Sequence, residues 1–165
     1  MVHLRETFDI IRKYNFTLRP EKCLFFQDEI ELLGYKVSPN GIKSIDKLLQ
    51  KISLVDIAKS KTDVKAFVHL CGFYQNHIQS FAEIAAPLIE LLKKKEKFEI
   101  KEKHINAWKI LKEETAKATE LAFFKPNLQS YVYTDTSDIG IGGVYTQIDE
   151  SGVERSIRFL SRKLT

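Results

Sequence analysis

Cysteine is scarce in this 165-residue chain: Cys23 and Cys71 stand far apart, with no CxxC or Cys/His ligand spacing. That argues against a disulfide framework or a zinc site and predicts buried, reduced thiols. No apolar run approaches the roughly 20 residues of a membrane-spanning helix. Charged Arg5 and Glu6 follow Met1 where a signal peptide would carry its apolar core. The expectation is a soluble intracellular chain, cytoplasmic or nuclear, with no membrane partner. His3, His69, His77 and His104 are isolated, so no ligand set of helical spacing exists around any of them. Internal repeats and low-complexity tracts are also lacking.

With 44% hydrophobic residues, the length suits one modest domain or pieces of two. The formal charge is +4, and its distribution is uneven: residues 42–97 hold ten basic against six acidic residues, whereas the other stretches are nearly balanced. Lys43, Lys47, Lys51, Lys59, Lys61 and Lys65, then Lys93, Lys94, Lys95 and Lys97, form this excess. Such a cluster can neutralise phosphates, or it can simply be a solvated face.

Periodicity divides the chain further. Leu4, Phe8 and Ile11 at i, i+4 and i+7 predict an amphipathic helix over 2–14 that lies on a sheet. Short β-like pieces follow at 16–18, 23–26 and 30–37, interrupted by Pro20 and closed by the turn Ser38, Pro39, Asn40, Gly41. Residues 46–55 read as a helix. A longer helix follows, capped by Ser60 or Thr62 and carrying Phe67, Leu70, Tyr74 and Ile78 on one side. Residues 84–92 form a further helix, with Pro87 in its first turn. Residues 93–103 read as a charged linker in which Phe98 and Ile100 can anchor, and 104–121 as a helix with Trp108, Leu111, Thr115 and Ala118 near one face.

The segment YVYTDTSDIGIGGVYTQ, 131–147, reads as a hairpin: a β-rich run delivers Asp135 to its end, and Gly140, Gly142 and Gly143 permit a turn and close backbone approach. Residues 156–160 are a third strand candidate. One carboxylate so placed can hold a metal but cannot run a nuclease alone. Asp138 and Asp149 read as turn residues.

The ordered series HLRETFDIIRKYNFTLRPEKCLFF, LLGYKVSPNGI, FVHLCGFYQNHIQSFAEIAAPLIELLKK, TDTSDIGIGGVYTQ and SRKLT resembles the polymerase polyprotein of gypsy-like long-terminal-repeat retrotransposons, the metaviruses. The resemblance implies an α+β fold. Residues 1–41 would be the C-terminal end of a reverse transcriptase palm with a primer-grip-like hairpin, and 42–97 the helical thumb. Residues 98–130 would be the connection, and 131–165 the incomplete first strands of an RNase H-like sheet. It implies that Leu33, Gly34 and Tyr35 lie at the primer end, and that Tyr74, Gln75, Asn76, Lys61 and Lys65 meet nucleic acid. Asp135 would be the first metal-binding catalytic carboxylate of a ribonuclease H. The implied partners are an RNA:DNA hybrid or primer-template duplex and the remainder of the polyprotein, in a virus-like particle for the parent element.

The implied cofactor is Mg²⁺ in the parent enzyme. This chain, with neither the polymerase's aspartate pair nor the other ribonuclease H acids, is expected to bind none stably and to be inactive alone. One departure stands out. Where the family usually carries a Tyr-Tyr-Arg-Arg-Phe-like core, this chain has Phe73, Tyr74, Gln75, Asn76 and His77, and two cations are gone. Duplex affinity should therefore be weaker and less salt-dependent. Asp135, Thr136 and Ser137 also resemble an aspartic protease loop, but Ser137 stands where glycine is needed and no second loop exists. GIGG lacks the strand-to-helix setting of a dinucleotide loop. The alternative of another class is a non-catalytic nucleic-acid-binding or interaction module from a decayed or domesticated retroelement.

Overall fold

The computed structural model describes residues 2–94 and 96–164. Helix α1, Val2–Lys13, has the expected stripe: Leu4, Phe8 and Ile11 are half-buried while the other side chains are exposed. No residue of α1 is buried, so the expected seat on a sheet does not form. The stripe instead meets Phe25, whose ring sits edge-on to Phe8 at 6.0 Å. The strands expected at 16–18 and 23–26 are also absent. Pro20 opens a short 3-10 turn, Pro20–Lys22, and Asn15 and Phe26 take positive φ, so the backbone offers no extended ladder there.

The first sheet is antiparallel in the order β1 (Ile30–Leu32), β2 (Tyr35–Ser38), β3 (Gly41–Ser44). Leu33 and Gly34, with φ of 50° and 87°, make the two-residue turn between β1 and β2, a backbone twist that suits a tight hairpin. Gly41 has φ of 150°, and a Cβ there would stand 2.1 Å from the Leu121 carbonyl oxygen. The close approach is used: Ile42 N–H donates to Leu121 O at 2.7 Å and Leu121 N–H returns to Ile42 O at 2.8 Å. The first sheet is thereby sewn to the chain beyond the last helix.

Four helices make the middle layer: α2 (Asp46–Ser53), α3 (Lys61–Gly72), α4 (Phe81–Leu91) and α5 (Glu102–Ala116). Ser60 is the cap of α3: its Oγ accepts from Asp63 N–H at 3.2 Å while Asp63 accepts from Lys59 N–H at 2.9 Å. The core joins Val64, Phe67 and Cys71 of α3 to Ala85 and Leu88 of α4 and to Trp108 and Leu111 of α5. Phe67 stacks on Trp108 with ring centroids 3.7 Å apart. Leu70 is displaced from this stripe and exposed, because its place on the core face belongs to Cys71. Burial pushes the Cys71 thiol up to about 11, which leaves it an inert core group. Cys23 is free and only half-buried. Tyr74 and Ile78 do enter the core, but after α3 has ended, in the segment around the 3-10 turn Gln75–His77.

Further helix boundaries differ from expectation. Ser80 takes φ of 54° and α4 begins at Phe81, so Pro87 lies inside the helix, where its missing N–H leaves the Glu83 carbonyl without an i+4 donor. Helix α5 ends at Ala116 instead of running to 121, which frees Leu121 for its bridge to Ile42.

The second sheet is antiparallel in the order β4 (Ser130–Thr136), β5 (Gly140–Ile148), β6 (Glu154–Lys163). Gly140, Gly142 and Gly143 lie within β5, so the turn is made by Ser137, Asp138 and Ile139. Close approach is their role: a Cβ on Gly143 would stand 3.1 Å from Tyr133 O. Asp149 organises the β5–β6 turn by accepting from Ser151, Val153 and Arg155, and these bonds hold its carboxyl well below the usual range. Buried Gln147 fastens the approach to β4, accepting from Lys125 N–H at 2.9 Å and donating to Lys125 O at 2.8 Å. Helix α4 holds the sheet through Ala82 N–H to Ser161 Oγ at 2.8 Å and through Lys163 to Glu90 at 3.6 Å.

Trp108→Ala should lower unfolding free energy by ~3–5 kcal/mol in urea titrations, while Leu70→Ala costs well under half of that. Gly41→Ala should cost more than ~2 kcal/mol, since the new Cβ meets a backbone oxygen that cannot yield without opening the Ile42–Leu121 bridge.

Candidate nucleic-acid interface and the Asp135 carboxylate

Strand alternation puts Tyr131, Tyr133 and Asp135 on one face of β4, with the two tyrosine rings 6.4 Å apart. Asp135 pairs across the ladder with Gly142, where the absent side chain leaves space beside the carboxylate. Asp135 is exposed, and its Oδ1 accepts from Thr136 N–H at 2.9 Å. Among the described residues no group of three or more His, Cys, Asp or Glu side chains could hold a metal ion. The residues present do not fit a two-metal site, and no chemical step is assigned through one.

The other expected contact residues divide sharply. Leu33 and Gly34 project at the tip of the first hairpin, and Leu33 is 83% exposed. Tyr35 does not offer its ring outward as expected. It stacks on Phe73 at 5.0 Å and on His77 at 5.3 Å, and its hydroxyl donates to Phe73 O at 2.8 Å. Tyr74 is buried in the core and cannot reach a ligand, a correction that follows from its T-shaped packing against Tyr35 and Phe73. Gln75 is exposed and Asn76 half-buried.

Of the two lysines, Lys65 is exposed. Lys61, half-buried, is committed to other parts of the chain: its Nζ donates to Lys93 O at 2.7 Å and Glu96 O at 2.6 Å, where a cation satisfies carbonyls beyond the end of α4. Lys95, part of the same expected cluster, lies outside the described residues.

His77 is buried and donates from Nδ1 to Thr119 O at 2.8 Å, which ties the Gln75–His77 turn to the segment leading into the second sheet. Burial lowers its pKa, and the Thr119 carbonyl opposes the shift only in part. His104 is likewise lowered, by burial first and then by Lys103 and Lys101. Sequence reasoning missed Arg158. It lies on β6, and its Nε donates to Asn76 Oδ1 at 3.3 Å, although 82 residues separate the two. Periodicity carries no signal for such a pair, since only the docking of β6 beside the turn creates it.

Tyr35 of the first sheet, the Gln75–His77 turn and the edge strand β6 thus meet at one end of the helical layer. Residues 100–165 match the model of the RNase H-like domain found in reverse transcriptase. The matched segment takes in α5 as well as the second sheet, and this part of the chain is similar to the RNase H-like domain of reverse transcriptases.

Over 163 residues it is 31% identical to the retrovirus-related Pol polyprotein from transposon 412 of Drosophila melanogaster, covering 99% of this chain and 13% of that protein. It is 20% identical over 163 residues to the transposon Tf2-3 polyprotein of Schizosaccharomyces pombe, covering 99% of this chain and 12% of that one. The fold is similar to the foamy viral protease-reverse transcriptase in complex with double-stranded DNA, with TM-score 0.77, 18% identity and coverage of 98% of this chain and 34% of that one. The same enzyme in complex with an RNA/DNA hybrid gives TM-score 0.77 and 18% identity, covering 98% of this chain and 22% of that one. The chain thus spans a small part of each relative.

Because folded His77 resists protonation, the unfolded chain binds the proton first as pH falls below about 6.5. Stability should be level above about pH 7 and decline as pH drops through and below that value. His77→Gln should flatten part of the decline and His104→Gln a further part, measured by urea midpoints across pH. Parallel curves for wild type and both variants would contradict the assignment.

Proposed function

We propose that this chain is the part of a gypsy-like retrotransposon reverse transcriptase/ribonuclease H that holds a template-primer duplex and contributes one ribonuclease H carboxylate. In this reading residues 1–41 are the palm end, 42–97 the thumb, 98–130 the connection and 131–165 the first strands of the ribonuclease H domain. The observation that carries it is the likeness of nearly the whole chain to Pol polyproteins, 31% identical over 163 residues for transposon 412. The meeting of Tyr35, the Gln75–His77 turn and β6 at one end of the helical layer supports a continuous duplex track.

RNA-directed DNA synthesis and hybrid hydrolysis belong to the whole polyprotein. Mg²⁺ would be held there by Asp135 together with acids from elsewhere in that protein. The exposed apolar residues Val132, Ile141 and Leu160 suit packing by the remainder of the polyprotein. A non-catalytic nucleic-acid-binding module is the second reading, favoured by Asp135 having no acidic partner set among the described residues.

Binding of a labelled primer-template duplex, followed by fluorescence anisotropy, should show log K falling linearly with log salt. No affinity at low salt would remove both duplex readings. Incubated with Mg²⁺ and an RNA:DNA hybrid, this chain should release no cleavage product. Cleavage that Asp135→Asn abolishes would overturn the claim that the site needs further acids.

A further inference from the structure

We propose that Arg158, positioned by Asn76, is a phosphate contact at the seam between the helical layer and the second sheet. This rests on the reading of the chain as a duplex-holding segment. The four basic residues of β6 differ in what they do. Arg155 is paired with Asp149, and Lys163 shares the Glu90 carboxylate with Lys103. Arg158 has no carboxylate partner among the described residues, yet it is held: its Nε donates to Asn76 Oδ1, which leaves the terminal guanidinium N–H groups to take an outside acceptor. Arg162 is exposed and has no such fixing bond.

The anchor itself is rigid. Asn76 sits in the Gln75–His77 turn, fixed on one side by His77 donating to Thr119 O and on the other by Tyr35 stacked on His77. Strand β6 is fixed beside it by Ala82 N–H on Ser161 Oγ. An exposed, unpaired and orientated guanidinium beside the exposed amide of Gln75 is the donor fork that a phosphate oxygen pair accepts. The cleft there holds only about 110 Å³, lined by Gln75, Asn76, Arg158, Phe159, Leu160 and Ser161. Ligand pockets for whole small molecules run from roughly 300 Å³ upward, so the notch admits a phosphate edge and no base. Arg158 also returns one positive charge to the turn whose residues 75 and 76 are neutral.

The test is a salt titration of primer-template binding by anisotropy, with melting temperatures confirming folded variants. Arg158→Gln should weaken binding and reduce the slope of log K against log salt by about 0.9, one phosphate contact. Arg158→Lys and Asn76→Ala keep the charge and should hold the slope while weakening binding a few-fold, because the held geometry is lost. The Asn76→Ala and Arg158→Lys effects should be less than additive, since both break the same bond.

An unchanged slope for Arg158→Gln, with wild type binding normally, overturns this inference and leaves the duplex reading intact. Wild type that shows no salt-dependent binding overturns the duplex reading, and this inference with it. Equal slope changes for Arg158→Gln and Arg162→Gln, with Arg158→Lys matching wild type, would mean unspecific charge and no orientated contact. If Arg158→Gln does not fold, unchanged affinity in Asn76→Ala overturns the proposal.

Discussion

The stretch from Phe73 to Ser80, between α3 and α4, together with the first turn of α4, is the joint on which the arrangement depends. It is too short to hold a core of its own, so its backbone and side chains are used as fasteners. Phe73 O receives the Tyr35 hydroxyl from the first sheet, His77 reaches Thr119 ahead of the second, Asn76 takes Arg158, and Ala82 N–H takes Ser161. Each bond is modest, on the order of 1 kcal/mol net. Their joint effect is geometric: with Tyr74 and Ile78 buried beneath them, the turn cannot move without disturbing the helical core.

That joint explains why Tyr35, Tyr74 and His77 turn their rings inward, while Phe73 keeps an exposed face. Tyr35, Tyr74 and His77 are consumed in stacking against one another and against Phe73. A duplex meeting this surface would encounter amides, Arg158 and the projecting Leu33–Gly34 tip instead. Lysine accounting changes for a similar reason. Lys61 adds to the positive excess in composition, but its ammonium serves two carbonyls beyond α4, so formal charge overstates the cations at hand for phosphates.

Much of the layout was legible from pattern. The four helices, the Ser60 cap, the β4–β5 hairpin carrying Asp135 and the third strand follow from local periodicity and turn chemistry, whereas the hairpin at Leu33–Gly34, read by pattern as one strand over 30–37, came only from the family resemblance. The misses have local causes as well. Apolar residues at 16–18 and 23–26 resemble strands, but a strand needs a partner ladder, and Pro20 with positive φ at Asn15 and Phe26 prevents one. The β5 glycines resemble a turn cluster, yet they serve the ladder, because Gly140 and Gly143 face backbone carbonyls at 3.1 Å.

By itself, the sequence determined most of the order of elements, the single acidic residue at the end of β4 and the similarity to Pol polyproteins, since these depend on spacing along the chain. Only the tertiary structure decided which functional-looking residues are available. Tyr74 is buried, Lys61 is committed, and Arg158 is brought to Asn76 across 82 residues. The physical reason is that exposure and hydrogen-bond partnership are set by contacts between distant segments, and no local period encodes them.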